Sequence, residues 1–204
     1  MDWATISALA TAGGTLVLAG ATYASVRSAN RAARMAELSL LTGIRPLVVA
    51  SAEDDRTQTV EFGDDTALTV PGGSAGVEVI DGRVYIVLSL RNVGTGIGVL
   101  HGGYVGGQKA GVDDHEPLER FHLLTRDIYL PPGEVGFWQI SLREDPRRDE
   151  VRALVESGRF SVELLYGDFE GGQRMITRIA VLQEHDRWNL RVARHWQLDR
   201  PSPR

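Results

Sequence analysis

The N-terminal segment from Trp3 to Val26 contains no charged residue. As an α-helix it would be about 36 Å long, and the hydrocarbon core of a bilayer is roughly 30 Å thick. A buried helix of a soluble protein would need apolar neighbours on every side. A cleaved signal peptide would begin with basic residues, whereas only Asp2 precedes this segment. We therefore predict a transmembrane helix within residues 1–26.

The charges that follow this segment predict its orientation. Arg27, Arg31, Arg34 and Arg45 come after it, whereas Asp2 is the one charged side chain ahead of it. Arginine is retained on the cytoplasmic side of a membrane. The sequence thus predicts a single-pass protein of the cell membrane, with its N-terminus outside and its C-terminal bulk in the cytoplasm.

The region 27–45 is predicted to continue as an Arg-rich juxtamembrane helix that ends before Pro46. Arg27, Arg31 and Arg34 recur at i, i+4 and i+7, and therefore share one helix face. Two interpretations of these arginines stay open. They serve only to set the topology, or they also contact anionic lipid, at about 1 kcal/mol for each arginine near the surface.

Beyond the helix the apolar residues alternate with polar ones, which is typical of β-strands. Two such stretches flank Asp81 and Gly82, the signal of a two-residue type I′ hairpin turn. This turn pairs Val79 with Val84 and continues outward, so that the apolar residues of both strands share one face. We therefore predict a hairpin in this register, within a half-buried sheet.

Further strands are predicted along the rest of the chain, at 47–50, 59–62, 67–70, 135–142, 160–166, 173–183 and 188–198. Within the last stretch, one face is expected to carry Trp188, Leu190, Val192, Trp196 and Leu198. Arg194 is the exception on that face.

One short helix interrupts the strands, with Asp145 as its predicted N-cap and Pro146 as its first helical residue. A helix at this point is expected to cross from one sheet to another. The pattern as a whole predicts a mainly β protein, in which residues 46–200 form an antiparallel two-sheet sandwich.

The glycines between Ser89 and Gly103 raise the question of a nucleotide-binding loop. A dinucleotide loop has the spacing G-x-G-x-x-G and is followed by a helix. Gly94, Gly96 and Gly98 do not have this spacing, and a strand is expected after them. We predict instead a turn or bulge in which glycine supplies positive φ angles.

Two motifs carry a resemblance to a known class of proteins. Asn92-Val-Gly-Thr-Gly96 and Leu130-Pro-Pro-Gly-Glu134 resemble motifs of bacterial immunoglobulin-like sandwich domains. The whole layout of anchor, Arg-rich helix and sandwich resembles uncharacterised single-pass bacterial membrane proteins. This resemblance implies an immunoglobulin-like fold, and it brings no catalytic residues with it.

The composition and the longest loop limit the chemistry that we expect. The chain has no cysteine, which excludes thiolate metal sites and cysteine nucleophiles, and its net charge of −5 argues against a nucleic-acid partner. The loop 106–120 contains Asp113-Asp-His-Glu116, which with His101 or His122 is a candidate for a divalent metal. An acidic surface loop is the commoner explanation, so we predict no metal, no cofactor and no catalytic residue.

The sequence therefore favours a membrane-anchored, non-catalytic interaction or scaffold module. Its expected partners are the lipid bilayer and a protein at the membrane. The alternative is a membrane-tethered metal-dependent hydrolase that uses the 106–120 loop.

Overall fold

The computed structural model describes residues 2–108, 114–143 and 145–199, and the chain forms two compact units, Met1–Gly43 and Ile44–Arg204. The first unit is the single helix α1, Trp3–Gly43, which runs without a break and buries none of its side chains. Among the described residues, α1 is the one helix that is long and apolar enough to cross a membrane.

The polar residues of α1 are hydrogen-bonded within the helix itself. Their hydroxyl groups donate to main-chain carbonyls three or four residues earlier, as seen for Ser7, Thr11, Thr15, Thr22 and Thr42. Because these hydroxyls have partners, they add little to the cost of placing the helix in an apolar medium.

The second unit is mainly antiparallel β-structure. Its strands are β1 (Val48–Ala50), β2 (Gln58–Glu61), β3 (Ala67–Val70), β4 (Ser74–Ile80), β5 (Arg83–Asn92), β6 (Gly98–Gly106), β7 (His122–Leu130), β8 (Val135–Leu142), β9 (Arg159–Asp168), β10 (Arg174–Glu184) and β11 (Arg187–Gln197). A 3-10 turn, Leu118–Arg120, precedes β7, and the helix α2, Arg148–Glu156, connects β8 to β9.

Nine of these strands form one curled sheet in the order β1-β5-β4-β11-β10-β9-β6-β7, with β8 paired to β5. The predicted arrangement had two sheets, whereas here continuous pairing joins all nine strands. Its narrowest link joins β4 to β11, which share only the pairs Ala75 with Trp188 and Ser74 with Asn189. No ladder between β7 and β8 is present in the described part of the chain, so the sheet forms a half-barrel with an open side.

The β4–β5 hairpin has the predicted register. Val79 pairs with Val84, and the turn residues Asp81 and Gly82 have φ angles of 49° and 76°, as a type I′ turn requires. The inward face of β5 contributes to the main core together with residues of β6, β8, β9 and β10.

The prediction of a half-buried sheet is wrong for β5, because the outer face of this strand is buried as well. Strands β2 and β3 form a separate hairpin that covers it. The contact is a second apolar cluster made by Val60, Phe62, Leu68, Val70, Tyr85 and Val87, with Phe137 against it. Strand β9 is also buried on both faces.

Two β-bulges change which residues face the core. Arg178 pairs with Arg194 but Ile179 pairs with Val192, so Ala193 is an extra residue in β11. Because a bulge shifts the alternation of side chains by one residue, the predicted single apolar face of this strand is wrong. Trp188 and Leu190 pack against the main core, whereas Trp196 and Leu198 pack against the outer face of the sheet. Arg194 was the exception on the predicted apolar face. It follows the bulge, so its side chain is not on the face that packs against the main core.

The second bulge lies at His101 in β6, between the pairs of Leu100 and Gly102 with β9. Beyond it, Gly103 and Val105 are opposite the core residues Leu164 and Val162. Tyr104 therefore lies on the outer face of the sheet.

The glycine-rich stretch is a turn between strands, as predicted, but the reason for its glycines differs. Neither Gly94 nor Gly96 has a positive φ angle. A Cβ atom at either position would collide with the backbone of residues 44–47. These glycines are therefore required by close approach of two backbone segments.

The start of α2 also differs from the prediction. Arg147, not Asp145, is the N-cap residue, and α2 begins two positions later than expected. Asp145 instead accepts the backbone N–H of Arg147 on its Oδ1 atom at 2.7 Å, which forms a turn ahead of the helix. Gly158 ends the helix region with a φ angle of 73°.

Candidate functional site: a charged outer face and a pocket at the open side

A row of polar side chains crosses the outer face of the half-barrel. Cross-strand pairing places Tyr104 opposite Glu163, Glu163 opposite Arg178, and Arg178 opposite Arg194. Glu163 and Arg178 have only 2% and 5% of their surface exposed. The Nε and Nη2 atoms of Arg178 both donate to Oε1 of Glu163, at 2.9 and 2.6 Å. This is a buried ion pair in the middle of two largely buried strands.

The buried ion pair holds the segment 114–121 against the sheet. The backbone N–H of Glu116 donates to Oε2 of Glu163 at 2.9 Å, and Nη2 of Arg178 donates to the carbonyl of Asp114 at 2.7 Å. The ring of Trp196 lies 4.8 Å from the Arg178 guanidinium and completes the cover. Both members of the pair are therefore engaged by the fold, and we assign them a structural role.

Tyr104 lies next to two further arginines. The guanidinium groups of Arg147 and Arg120 are 4.1 and 4.9 Å from the centre of its ring. Burial raises the pKa of the Tyr104 hydroxyl, and the nearby charge of Arg147 opposes that rise in part. Nη1 of Arg120 also donates to Oε2 of Glu116 at 2.6 Å. The tyrosine ring thus fixes two cationic groups at the edge of the sheet.

These two arginines line a pocket of about 190 Å³ at the open side of the half-barrel. Strand β6, the start of β7, strand β8 and the region of α2 all contribute to it. The lining residues are Gly103, Val105, Arg120, Phe121, His122, Ile140, Leu142, Asp145, Arg147 and Val151. We call this the seam pocket.

A buried polar group lies next to the seam pocket. Trp138 is fully buried, and its Nε1–H has no hydrogen-bond acceptor among the described residues. Nε1 lies 3.0 Å from the position that a Cβ atom on Gly103 would occupy. Gly103 lines the seam pocket, whereas Trp138 is not one of its lining residues.

A second cleft of about 310 Å³ lies on the outer face of β6, β7 and β9. Its walls are Tyr129 and Phe169, whose rings are 6.2 Å apart and whose exposed fractions are 53% and 62%. Val99 and Gly167 line the same cleft. Two exposed aromatic rings side by side are typical of surfaces that contact another protein.

The residues that the sequence marks as a metal candidate lie in different surroundings. His101 lines the cleft beside Tyr129, His122 lines the seam pocket, and His115 packs its ring edge against Trp196. Asp113 lies outside the described residues. Within the described ranges, no group of three or more His, Asp or Glu side chains is arranged to hold a metal ion.

The arginines predicted to contact lipid lie together on α1. Arg27, Arg31 and Arg34 line one shallow surface with Tyr23, Val26 and Asn30. Within the described residues, none of the three forms an ion pair.

Sequence reasoning missed the ion pair and the seam pocket. A signal for the pair was present, since Glu163 and Arg178 interrupt apolar strands, where a charge requires a buried partner. The pocket has no comparable signal. Its residues come from five separate stretches of the chain, which only the curl of the sheet brings together.

No protein-family model matches this chain, and no curated protein is similar to it in sequence. Among solved structures, a protein from Archaeoglobus fulgidus is similar over 61% of this chain and 91% of its own length, with 14% identity and a TM-score of 0.25. A beta-glucosidase from Kluyveromyces marxianus is similar over 61% of this chain, with 16% identity and a TM-score of 0.23. This match spans 14% of the beta-glucosidase. Likenesses at these scores carry no argument about fold or function.

Proposed function

We propose that the protein is a membrane-anchored, non-catalytic interaction module, with α1 as a single-pass anchor and the β-unit in the cytoplasm. The β-unit is then a binding domain related to immunoglobulin-like sandwiches. The proposal is supported by two observations, namely the hydrogen bonds by which the β-unit holds residues 45–47 and the character of the surface of the β-unit.

The observation that carries the proposal is the way in which the β-unit holds the chain that follows α1. The carbonyl of Arg45 accepts the backbone N–H groups of Thr95 and Gly96, at 3.0 and 3.3 Å. The backbone N–H of Leu47 donates to Oδ1 of Asn92 at 3.1 Å. Arg45 is two residues beyond Gly43, the last residue of α1. The chain is therefore fixed to the β-unit from Arg45 onward.

Asn92 is the centre of this attachment. Its Nδ2 donates to the carbonyls of Gly96 and Leu130, at 2.7 and 2.8 Å, and its Oδ1 also accepts the N–H of Gly94. The motif that resembles those of sandwich domains is thus used to fasten the incoming chain. A domain that a helix anchors in the bilayer has a high effective concentration toward other membrane-bound molecules, which favours a role in recognition at the membrane.

The polar chemistry of the β-unit supports a non-catalytic role. The buried carboxylate and guanidinium of Glu163 and Arg178 are occupied by each other and by backbone groups. The exposed aromatic pair Tyr129 and Phe169 offers a surface for a protein partner instead. We propose that this partner is a protein in the same membrane.

Anchoring is tested by extraction of native membranes with alkaline carbonate. We expect the full-length protein to stay in the membrane pellet, because an apolar helix is not released by loss of electrostatic contacts. Release of intact protein into the supernatant would remove the anchor from the proposal.

Partner contact is tested by photocrosslinking in the native membrane. A photoreactive residue replaces Phe169, and as a matched control another replaces Thr69, which is exposed on the hairpin cover. We expect a defined protein adduct from position 169 and none from position 69. Equal adducts from both positions would show non-specific collision and contradict the proposed surface.

We propose further that Arg27, Arg31 and Arg34 lie at the cytoplasmic headgroups. A cytoplasm-active reporter fused after Arg204 measures the orientation. We expect the triple arginine-to-glutamine variant to lose part of the reporter signal at equal expression, because the positive flank then no longer fixes the topology. An inactive reporter on the unchanged protein would reverse the proposed orientation.

A further inference from the structure

We propose that the cleft between Tyr129 and Phe169 recognises an arginine side chain on an extended segment of the protein partner. This inference rests on the proposed function, in which the same cleft contacts a protein in the membrane, and it names the chemistry of that contact. Its basis is a pair of uncovered aromatic rings, a carboxylate without a cationic partner, and the contacts that the chain makes to two other rings on the same face.

Two other aromatic rings on the outer face of the sheet, Tyr104 and Trp196, are each contacted by arginines of the chain itself. Two guanidinium groups lie 4.1 and 4.9 Å from the centre of the Tyr104 ring, and two lie 4.8 and 5.8 Å from that of Trp196. Tyr129 and Phe169 are exposed, and within the described ranges no guanidinium lies over either ring. The cleft therefore offers arginine the same kind of contact, with its rings still uncovered.

The cleft also contains a carboxylate that has no cationic partner. Asp127 lines the cleft, and its Oδ2 atom accepts a long hydrogen bond of 3.5 Å from the hydroxyl of Tyr129. The side chain of Asp127 is exposed and forms no ion pair in the part of the chain that the structure describes. A guanidinium that lies on the Tyr129 ring is thus next to a carboxylate that can bind it.

The other charges at the cleft balance one another. Arg174 lines the cleft, and the carboxylate of Asp199 accepts its backbone N–H at 2.6 Å and its Nη2 at 3.1 Å. Gln173 links the buried Asp168 to Arg45, because its Nε2 donates to the carboxylate and its Oε1 accepts from the Nε of the arginine. The acid on β7 is therefore the charge that is left over, which favours a cationic ligand.

Arginine fits this arrangement better than lysine does. A planar guanidinium can lie flat on an aromatic ring while its edge donates paired hydrogen bonds to a carboxylate, whereas the lysine ammonium is a strongly hydrated point charge. The apolar stem of the arginine has Val99 and the backbone of Gly167 to lie against. Because the cleft is on an exposed face, the side chain can belong to a segment of another protein.

Fluorine NMR at Phe169 tests the arginine ligand directly. The full-length protein is labelled with para-fluorophenylalanine at its five phenylalanine positions and kept in micelles of an uncharged detergent. A Phe169→Leu variant assigns the signal of position 169. The probe is the capped peptide Gly-Ser-Arg-Ser-Gly, and the comparison peptides carry lysine or citrulline in place of the arginine. Citrulline keeps the planar shape of the side chain and lacks its charge.

We expect the arginine peptide to shift the Phe169 signal in a saturable manner while the remaining fluorine signals stay in place. The lysine peptide is expected to bind more weakly because it loses the flat contact with the ring, and the citrulline peptide because it loses the charge. Each loss is expected to be roughly fivefold, the upper end for a cation–π contact or an ion pair at an exposed site.

Variants of the cleft separate the two contacts. Asp127→Asn removes the charge and Tyr129→Leu removes the ring, and each is expected to weaken binding of the arginine peptide roughly fivefold. Asp127→Asn should also reduce the preference for arginine over citrulline, which a merely structural role of Asp127 would not do. Glu78→Gln removes an exposed carboxylate from β4, outside the cleft, and is the matched control. It is expected to bind as the unchanged protein does.

The asparagine variant also separates this inference from the proposed function. Photocrosslinking from position 169 in the native membrane reports whether a protein meets the cleft, and Asp127→Asn is expected to reduce the yield of that adduct. A protein adduct that Asp127→Asn leaves unchanged would keep the protein partner and refute the arginine contact. Saturable binding of the arginine peptide without any adduct from position 169 would confirm the chemistry of the cleft and refute the protein partner.

Other results would overturn the arginine ligand itself. One is a folded protein whose Phe169 signal does not respond to the arginine peptide. Another is equal binding of the lysine or the citrulline peptide. An equal response to tetramethylammonium would make the cleft a site for quaternary ammonium groups, such as those of lipid headgroups, and would also refute the proposal.

Discussion

Strands β5 and β9 are both buried on two faces, but their outer faces are covered in different ways. Over β5 lies the β2–β3 hairpin, whose contact is made by aliphatic and aromatic side chains. Over β9 lies the segment 114–121, which is held by the buried pair of Glu163 and Arg178 and by the ring of Trp196. One cover is therefore mainly apolar, whereas the other combines a buried ion pair with an apolar cluster of Tyr104, Phe121, Leu165 and Ile176.

The two covers differ in how strictly they fix the covering chain. Apolar contacts depend on buried area and have little directional preference, so they tolerate small shifts of the hairpin. A buried ion pair stabilises only when its geometry is right and all its hydrogen bonds are made. The cover over β9 thus defines one position for the segment 114–121. Arg120 belongs to that segment and lines the seam pocket, so the cover over β9 also fixes one side of the pocket.

The largest expected effect is on the polar cover. Glu163→Gln removes the negative charge that accepts two hydrogen bonds from the buried Arg178 guanidinium. We expect a loss of about 3–5 kcal/mol in the free energy of unfolding, the usual cost of breaking one side of a buried pair. Urea denaturation of the full-length protein in detergent, followed by tryptophan fluorescence, measures it.

The control for this variant is Glu184→Gln at the exposed end of β10. Glu184 also pairs with an arginine, Arg191, but both side chains are largely in solvent. Its loss is expected to cost less than about 1 kcal/mol. If the two glutamate variants lost similar amounts of unfolding free energy, burial would not determine how much each ion pair contributes to stability.

The next effect is on the apolar cover. Leu68→Ala removes a buried side chain from the hairpin and is expected to cost about 2–3 kcal/mol, because the hairpin lies at the surface and can partly close the cavity. The neighbouring Thr69→Ala, exposed on the same strand, is expected to change stability by less than about 0.5 kcal/mol. A larger loss from Leu68→Ala than from Glu163→Gln would invert the ranking of the covers.

A volume-conserving change sharpens the comparison. Leu68→Met keeps the size and apolar character of the side chain. It is comparable with Glu163→Gln, which keeps the shape of the glutamate side chain. We expect Leu68→Met to cost less than about 1.5 kcal/mol, since an apolar contact adapts to a new shape. If the methionine variant were as damaging as Glu163→Gln, the apolar cover would be as geometrically strict as the polar one. The same denaturation experiment decides it.

Local chemistry allowed part of this architecture to be predicted from the sequence. The β4–β5 register follows from Asp81 and Gly82, because one turn type and one alternation pattern agree on it. The faces of β11 could not be predicted, since the bulge at Ala193 has no marker in the sequence and reverses every side chain beyond it.

The covers and the seam pocket were beyond sequence reasoning for a different reason. For β5 the sequence predicted burial on one face only, and nothing in it shows that β2 and β3 cover the other face. For the pocket, Arg120 and Arg147 lie on either side of β7 and β8 in the chain, and they meet at Tyr104 only because the sheet curls. The 106–120 loop drew attention as a candidate metal site, whereas the described part of it contributes backbone groups to the ion pair.

The smallest expected effect is an acid sensitivity of the apolar cover. Asp64, in the turn between β2 and β3, accepts a hydrogen bond from the Tyr85 hydroxyl at 2.6 Å, and this bond is the main reason why its pKa falls from 3.8 to about 2. A carboxylate with a lowered pKa in the folded state stabilises it above the unfolded pKa, and this contribution is lost as the pH falls from about 4 to about 2. Asp64→Asn is therefore expected to flatten the stability profile over that range and to leave it unchanged near neutral pH apart from a constant offset. If the free energy of unfolding had the same pH dependence in both proteins, the carboxylate of Asp64 would not contribute to the hairpin cover. That cover would then be held by its apolar contacts, unlike the cover over β9.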